Sequence, residues 1–110
     1  MTDAMDERRK GFESKWAHDA EMHFKVLARR NDLLGHWAAG EFGLSPSDAD
    51  TYAERLIKLG VTGEGTDSVF EKIRDDFAAR NISLSEHAIH RRMEELFSIA
   101  AGEMIHRDQA

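Results

Sequence analysis

Apolar residues recur every three or four positions along almost the whole chain, and no long stretch alternates apolar with polar as a half-buried strand would. From residue 17 the stripe runs through Ala17, Ala20, Phe24, Leu27, Leu34 and Ala38, with Asn31 on the same line and Leu33 and Trp37 widening it. This predicts a long first helix closed by Gly40 and Gly43, because glycine accepts the left-handed conformation that follows a last turn. The same spacing reaches upstream through Trp16, Phe12 and Met5, although Gly11 weakens a helix there by roughly 1 kcal/mol relative to Ala. In "LSPSDAD", Ser45 is placed to cap, Pro46 fits the first helical position, and Asp48 brings negative charge to unpaired amides. The second helix then carries Ala49, Tyr52, Ala53, Leu56 and Ile57 and should stop near Gly60. "GEGTD", residues 63–67, reads as a loop in which Thr66 or Asp67 caps a third helix with Val69, Phe70, Ile73 and Phe77 inward. In "NISLSE", Ser83 and Glu86 have the spacing of a reciprocal capping box that opens a fourth helix with Ile89, Met93, Leu96, Phe97, Ala100 and Met104 inward. Four amphipathic helices on short loops predict an all-α fold: a small four-helix bundle with long first and last helices.

Composition narrows the class. One domain fits 110 residues, and no apolar run approaches the ~18 residues of a membrane span. The N-terminus mixes acids with bases and lacks the apolar core of a secretory signal. With no Cys, disulfide and thiol chemistry are out of reach, which is compatible with the cytoplasm. A net charge of −6 argues against a general nucleic-acid binder. The charge is also uneven. Asp3, Asp6, Glu7 and Glu13 balance Arg8, Arg9, Lys10 and Lys15 within residues 1–15, so the rest of the chain holds the whole acidic excess. A segment this charged and this poor in apolar residues does not fold readily alone. Phe12 and Trp16 therefore stand out in it: they either close the end of the bundle or meet another protein.

Candidate chemistry is sparse. His87 and His90 lie three apart on the fourth helix near Glu86 and Glu94, but this is neither H-E-x-x-H nor the paired Glu-x-x-His of di-iron bundles. His18 and His23, five apart, point to different sides of a helix. The plainer reading, surface histidines that titrate near neutrality, is preferred. No G-x-S-x-G elbow is present, "GEG" is too short for a phosphate-binding fingerprint, and the adjacent carboxylates Asp75–Asp76 and Glu94–Glu95 diverge on a helix. "ARRN" and "HRRM" place the pairs Arg29–Arg30 and Arg91–Arg92 on the two long helices. If those helices pack together, the pairs can clamp an anion or a nucleotide. The competing reading, local ion pairs and aliphatic stems laid over the core, is preferred.

Taken together, "FESKWAHDAE", "FKVLARRNDLLGHWAAGEFGL", "YAERLIKLG", "VFEKIRDDF" and "HAIHRRMEEL" resemble the zeta subunit family of alphaproteobacterial regulators of F-type ATPases, over nearly the whole chain. The resemblance implies a four-helix bundle, residues 19–110, behind a mobile, intrinsically disordered N-terminal segment, residues 1–18. It implies a non-enzymatic inhibitor of ATP hydrolysis whose N-terminal segment enters the catalytic head between the alpha, beta and gamma subunits and blocks rotation. On this sequence the partner-binding residues would be Met5, Arg8, Arg9, Lys10, Phe12, Lys15 and Trp16. The family usually has an aromatic at the position of Met5 and often Phe at that of Trp16; Met fills a pocket but is a less rigid anchor. The resemblance further implies a protein that is monomeric when free, cytoplasmic, and peripheral to the inner membrane through the synthase. It brings no metal and no obligatory cofactor, with ADP or ATP as a regulatory ligand. The alternative reading is a weak or non-inhibitory member acting as a purine-nucleotide-binding helical module at Arg29, Arg30, Arg91 and Arg92.

Overall fold

The computed structural model describes the side chains of residues 19–106. Four helices follow one another, α1 (Asp3–Glu41), α2 (Pro46–Thr62), α3 (Thr66–Ala79) and α4 (Glu86–Gln109), and no strand occurs among the described residues. The side chains of the segment 1–18, expected to be mobile and to bind a partner, lie outside the described residues. α1 packs along α2 and α4, and α3 bridges α2 to α4, so the architecture is the expected all-α four-helix bundle.

The element ends follow from local chemistry. Ser45 Oγ accepts from Asp48 N at 3.2 Å with Pro46 in the first turn, as its sequence requires. α1 closes with Leu44 N donating to Ala39 O and Gly43 N to Gly40 O, and Gly43 takes the left-handed φ of 71° that this pattern needs. α3 ends in the same pattern, with Ile82 N on Phe77 O and Asn81 N on Ala78 O, but there Asn81 takes the positive φ, 58°. Asn tolerates that region better than other side-chain-bearing residues.

The core is one cluster: Leu34 and Ala38 of α1, Tyr52 and Leu56 of α2, Val69, Ile73 and Phe77 of α3, and Ile89 and Met93 of α4. Each large apolar side chain buried this way contributes about 1.5–3 kcal/mol. Two glycines let α1 and α2 lie close. A Cβ on Gly35 would stand 2.5 Å from Ala53 Cα, and one on Gly60 would stand 2.5 Å from Asn31 Nδ2. Tyr52 reaches the edge of the core, where its hydroxyl donates to Asp76 Oδ2 at 2.6 Å. Burial and that carboxylate both push the phenol pKa far up.

Several expectations are corrected. Gly60 does not stop α2, which runs on to Thr62, because the missing side chain serves the contact with Asn31 rather than a turn. Neither Thr66 nor Asp67 caps α3. Gly65 is the N-cap, no side chain caps the helix, and Thr66 is its first residue. The Ser83–Glu86 capping box does not form either. Ser85 Oγ accepts from Ala88 N at 3.0 Å, and α4 begins at Glu86. The segment before it is extended, so Ile82 and Leu84 both turn onto the core while Ser83 stays exposed. Finally, Ala20 and Phe24 are not core: Phe24 is 56% exposed, and Val26 is buried instead. Val26 lies between His23, whose ring meets Phe97, and Arg29, which meets Glu103. Upstream of Asn31, α1 thus turns its buried side to α4, while its contact with the end of α2 leaves Phe24 and Val61 mostly exposed.

Candidate functional site

Met5, Arg8, Arg9, Lys10, Phe12, Lys15 and Trp16 lie outside the described residues. The other candidate residues, the four arginines, can be placed, and the structure does not gather them. Arg29 is engaged with acids on both sides: Nε donates to Glu103 Oε2 at 2.7 Å and Nη1 to Asp32 Oδ2 at 2.8 Å. The Glu103 hydrogen bond is the main reason its pKa is raised. Arg92 lays its guanidinium 5.2 Å from the Trp37 ring centroid and donates to Glu95 at 3.2 Å. Arg91 shares a shallow surface depression with Arg92, His87 and Glu95. For Arg29 and Arg92 the local-pairing reading therefore holds.

Arg30 differs. Only 4% of it is exposed, and it forms no ion pair among the described residues. Its Nε donates to the side-chain oxygen of Asn31, also buried, at 2.8 Å, and Nη2 donates to Thr66 Oγ1 at 3.3 Å. Burial lowers its pKa below the usual guanidinium range. The guanidinium forms one wall of a cleft of about 420 Å³ between α1, the start of α3 and α4. The rest of the lining is mixed: Thr66, His90 and Ser98 are polar, Glu94 is acidic, and Met93 and Phe97 are apolar. His90 is held by stacking on Phe70, with centroids 4.0 Å apart and planes 8° from parallel. The cleft thus sets a buried cation and Thr66, the first residue of α3, beside an apolar wall. Chemically it suits an anionic group joined to an apolar or aromatic body.

The burial of Arg30 was not read from the sequence. The signal was present, since position 30 is three from Leu27 and four from Leu34, inside the stripe, but an arginine there reads as surface. Among the described residues no group of three or more His, Asp or Glu side chains is placed to share a metal ion, and no helix is long and apolar enough to cross a membrane.

A second apolar feature lies on the far side of the α2–α3 loop. Phe24 and Leu27 of α1 meet Ile57 and Val61 of α2 around a small recess, and Phe24 and Val61 are both mostly exposed. Ile99 and Ile105 of α4 are also more than half exposed. This end of the bundle leads into residues 1–18.

No curated protein matches the chain. A family model described as ATPase inhibitor subunit zeta matches residues 1–103, which takes in all four helices to within the last turns of α4 and the whole N-terminal segment. With its all-α four-helix architecture and that match over nearly its full length, the chain belongs to the ATPase inhibitor subunit zeta family.

Proposed function

We propose that the chain is a regulatory, non-catalytic subunit that inhibits ATP hydrolysis by an F-type ATP synthase. In this reading residues 1–18 are the inhibitory element, inserted between the alpha, beta and gamma subunits of the catalytic head, and the bundle, residues 19–110, is its carrier. The observation that supports it most is the family match, which begins at residue 1 and so includes residues 1–18. Phe12 and Trp16 supply anchors in that segment, and full burial of Phe12 contributes about 2 kcal/mol toward ordering it in a cleft. Arg8, Arg9, Lys10 and Lys15 steer and orient the encounter with acidic groups on the partner. The protein then works in the cytoplasm, at the membrane only through the synthase. The test is ATP hydrolysis by the purified cognate catalytic head with the full-length chain and with a 19–110 truncation whose helicity is verified by circular dichroism. Inhibition by the full-length chain alone is expected. Equal inhibition by the folded truncation would remove residues 1–18 from the mechanism.

A second reading is compatible with the first and rests on Arg30. An adenine nucleotide in its cleft would set a phosphate against the buried guanidinium and the start of α3, and its base against Phe97 and Met93. Arg29, Arg91 and Arg92 lie on other faces and would take no direct part. Titration with ADP, followed by amide NMR, should move Arg30, Thr66 and Phe97 together. Shifts confined to the Arg91–Arg92 depression would sink this placement.

A further inference from the structure

A row of alternating charges along the outer edge of the bundle lies outside the Arg30 cleft. Glu103 on α4 pairs with Arg29, Arg29 pairs with Asp32, and Asp32 lies one turn from His36. His36 Nδ1 is 2.9 Å from the Asp32 carbonyl oxygen and 3.2 Å from its Oδ1. His36 Nε2 is 2.9 Å from Asp50 Oδ1, near the start of α2. The row ties α4 to α1 and α1 to α2. His36 is its one member whose ordinary pKa lies near neutrality.

The partners decide the protonation state that this geometry fits. A backbone carbonyl and a carboxylate only accept hydrogen bonds, so each ring nitrogen of His36 has to donate. A neutral imidazole carries one N–H and cannot satisfy both; an imidazolium carries two. We propose that His36 is a proton-operated clasp that holds the start of α2 to α1 when charged and releases it when neutral. On deprotonation one of the two hydrogen bonds loses its proton, and Asp32 and Asp50 lose the cation between them. The groups that face the ring are Asp32 from α1 and Asp50 from α2. Arg29 and, through it, Glu103 of α4 act on Asp32 rather than on the ring. Among the described residues α3 adds no charged group to this face.

The direction of the effect follows from linkage. The hydrogen bond to Asp50, then that to the Asp32 backbone, raises the His36 pKa above the ordinary 6.5. A group whose pKa is raised by folding adds stability that is complete below its unfolded value, about 6.5, and fades as pH climbs through the raised folded value. The clasp is closed on the acid side and opens on the alkaline side.

The test uses the full-length protein and needs no partner. NMR of the histidine ring carbons between about pH 5.5 and about 8.5 should give His36 a midpoint above the ordinary value, and Asp50→Asn should move that midpoint down. Amide exchange at residues 50–53, corrected for its intrinsic pH dependence, should speed up several-fold across the same midpoint. In His36→Gln the corrected rates should be flat with pH, since Gln carries no titrating proton. A His36 midpoint at or below the ordinary value, a midpoint indifferent to Asp50→Asn, or the same pH-dependent exchange in His36→Gln would each overturn the clasp. Because His36 is exposed, neither variant disturbs the core, and the outcome is independent of whether residues 1–18 inhibit anything.

Discussion

Where α1 ends and α2 begins, Phe42 meets Tyr52 and Phe77 edge on face, Trp37 lies tilted on Phe77, all with centroids 4.8–5.6 Å apart, and Arg80 covers Phe42 from outside. At the opposite end, where α2 finishes, Phe24, Val61, Ile99 and Ile105 are each more than half exposed. The sequence is as apolar at one end as at the other. The difference is the number of helices present: four share the first region, while beyond the α2–α3 loop α1 has only α4. A stripe of apolar residues is core only where a neighbour exists to cover it. The closed end therefore carries the stability of the fold, and the open end, which leads into residues 1–18, presents apolar surface that folding did not consume.

The largest effect should come from the closed end. Leu56 is fully buried at the centre of the cluster, so Leu56→Ala removes its packing and leaves a cavity that neighbours fill only in part. A loss of about 2–5 kcal/mol is expected in urea unfolding followed by circular dichroism, a large share of the stability of a domain this size. A loss below about 1 kcal/mol would mean that the four-helix region is not the centre of stability.

The same substitution should have opposite signs at the two ends. In Gly35→Ala the new Cβ meets the backbone of Ala53 at 2.5 Å, which can be relieved only by separating α1 from α2. Overpacking of this kind costs about 1–3 kcal/mol, and the better helix propensity of Ala returns at most about 1. Gly102→Ala, on the exposed face of α4 at the open end, meets nothing within 4 Å and should simply gain up to about 1 kcal/mol. Equal effects at both positions would erase the contrast between a close-packed and an open end.

What the sequence revealed, and what it did not, follows the same division. Ser45, Pro46 and Asp48 made the start of α2 readable because their chemistry acts within one turn. The start of α4 was misplaced by two residues because Ser83 and Ser85 are equally good caps locally. The choice was made by Ile82 and Leu84, which needed an extended segment to reach a core assembled from distant residues. Phe24 and Val26 could not be ranked from spacing, since both lie near the stripe and only the position of α4 tells them apart. Arg30 occupied a buried position in plain view, but nothing near it in sequence announced that Asn31 and Thr66 would satisfy its guanidinium. The inhibitory role proposed for residues 1–18 rests on resemblance, because a short charged stretch with two aromatics has no core of its own from which a role could be argued.

The smallest effect should come from Phe24, and it tests the comparison most directly. Phe24→Ser removes a large aromatic from the same helix that carries Leu34, and by residue type alone it is as severe a change as any in the core. Serine and phenylalanine have similar helix propensities, so the backbone term is small. The ring is 56% exposed, and the recess it shares with Leu27, Ile57 and Val61 holds only about 40 Å³. Little burial is lost, and stability should change by no more than about 0.5 kcal/mol, as for an ordinary surface position. Measured beside Leu56→Ala under the same conditions, this variant separates apolar surface that stabilises the fold from apolar surface that does not. A loss of about 2 kcal/mol or more would show that Phe24 is covered in the isolated protein, and that the end of the bundle leading to residues 1–18 is closed in solution.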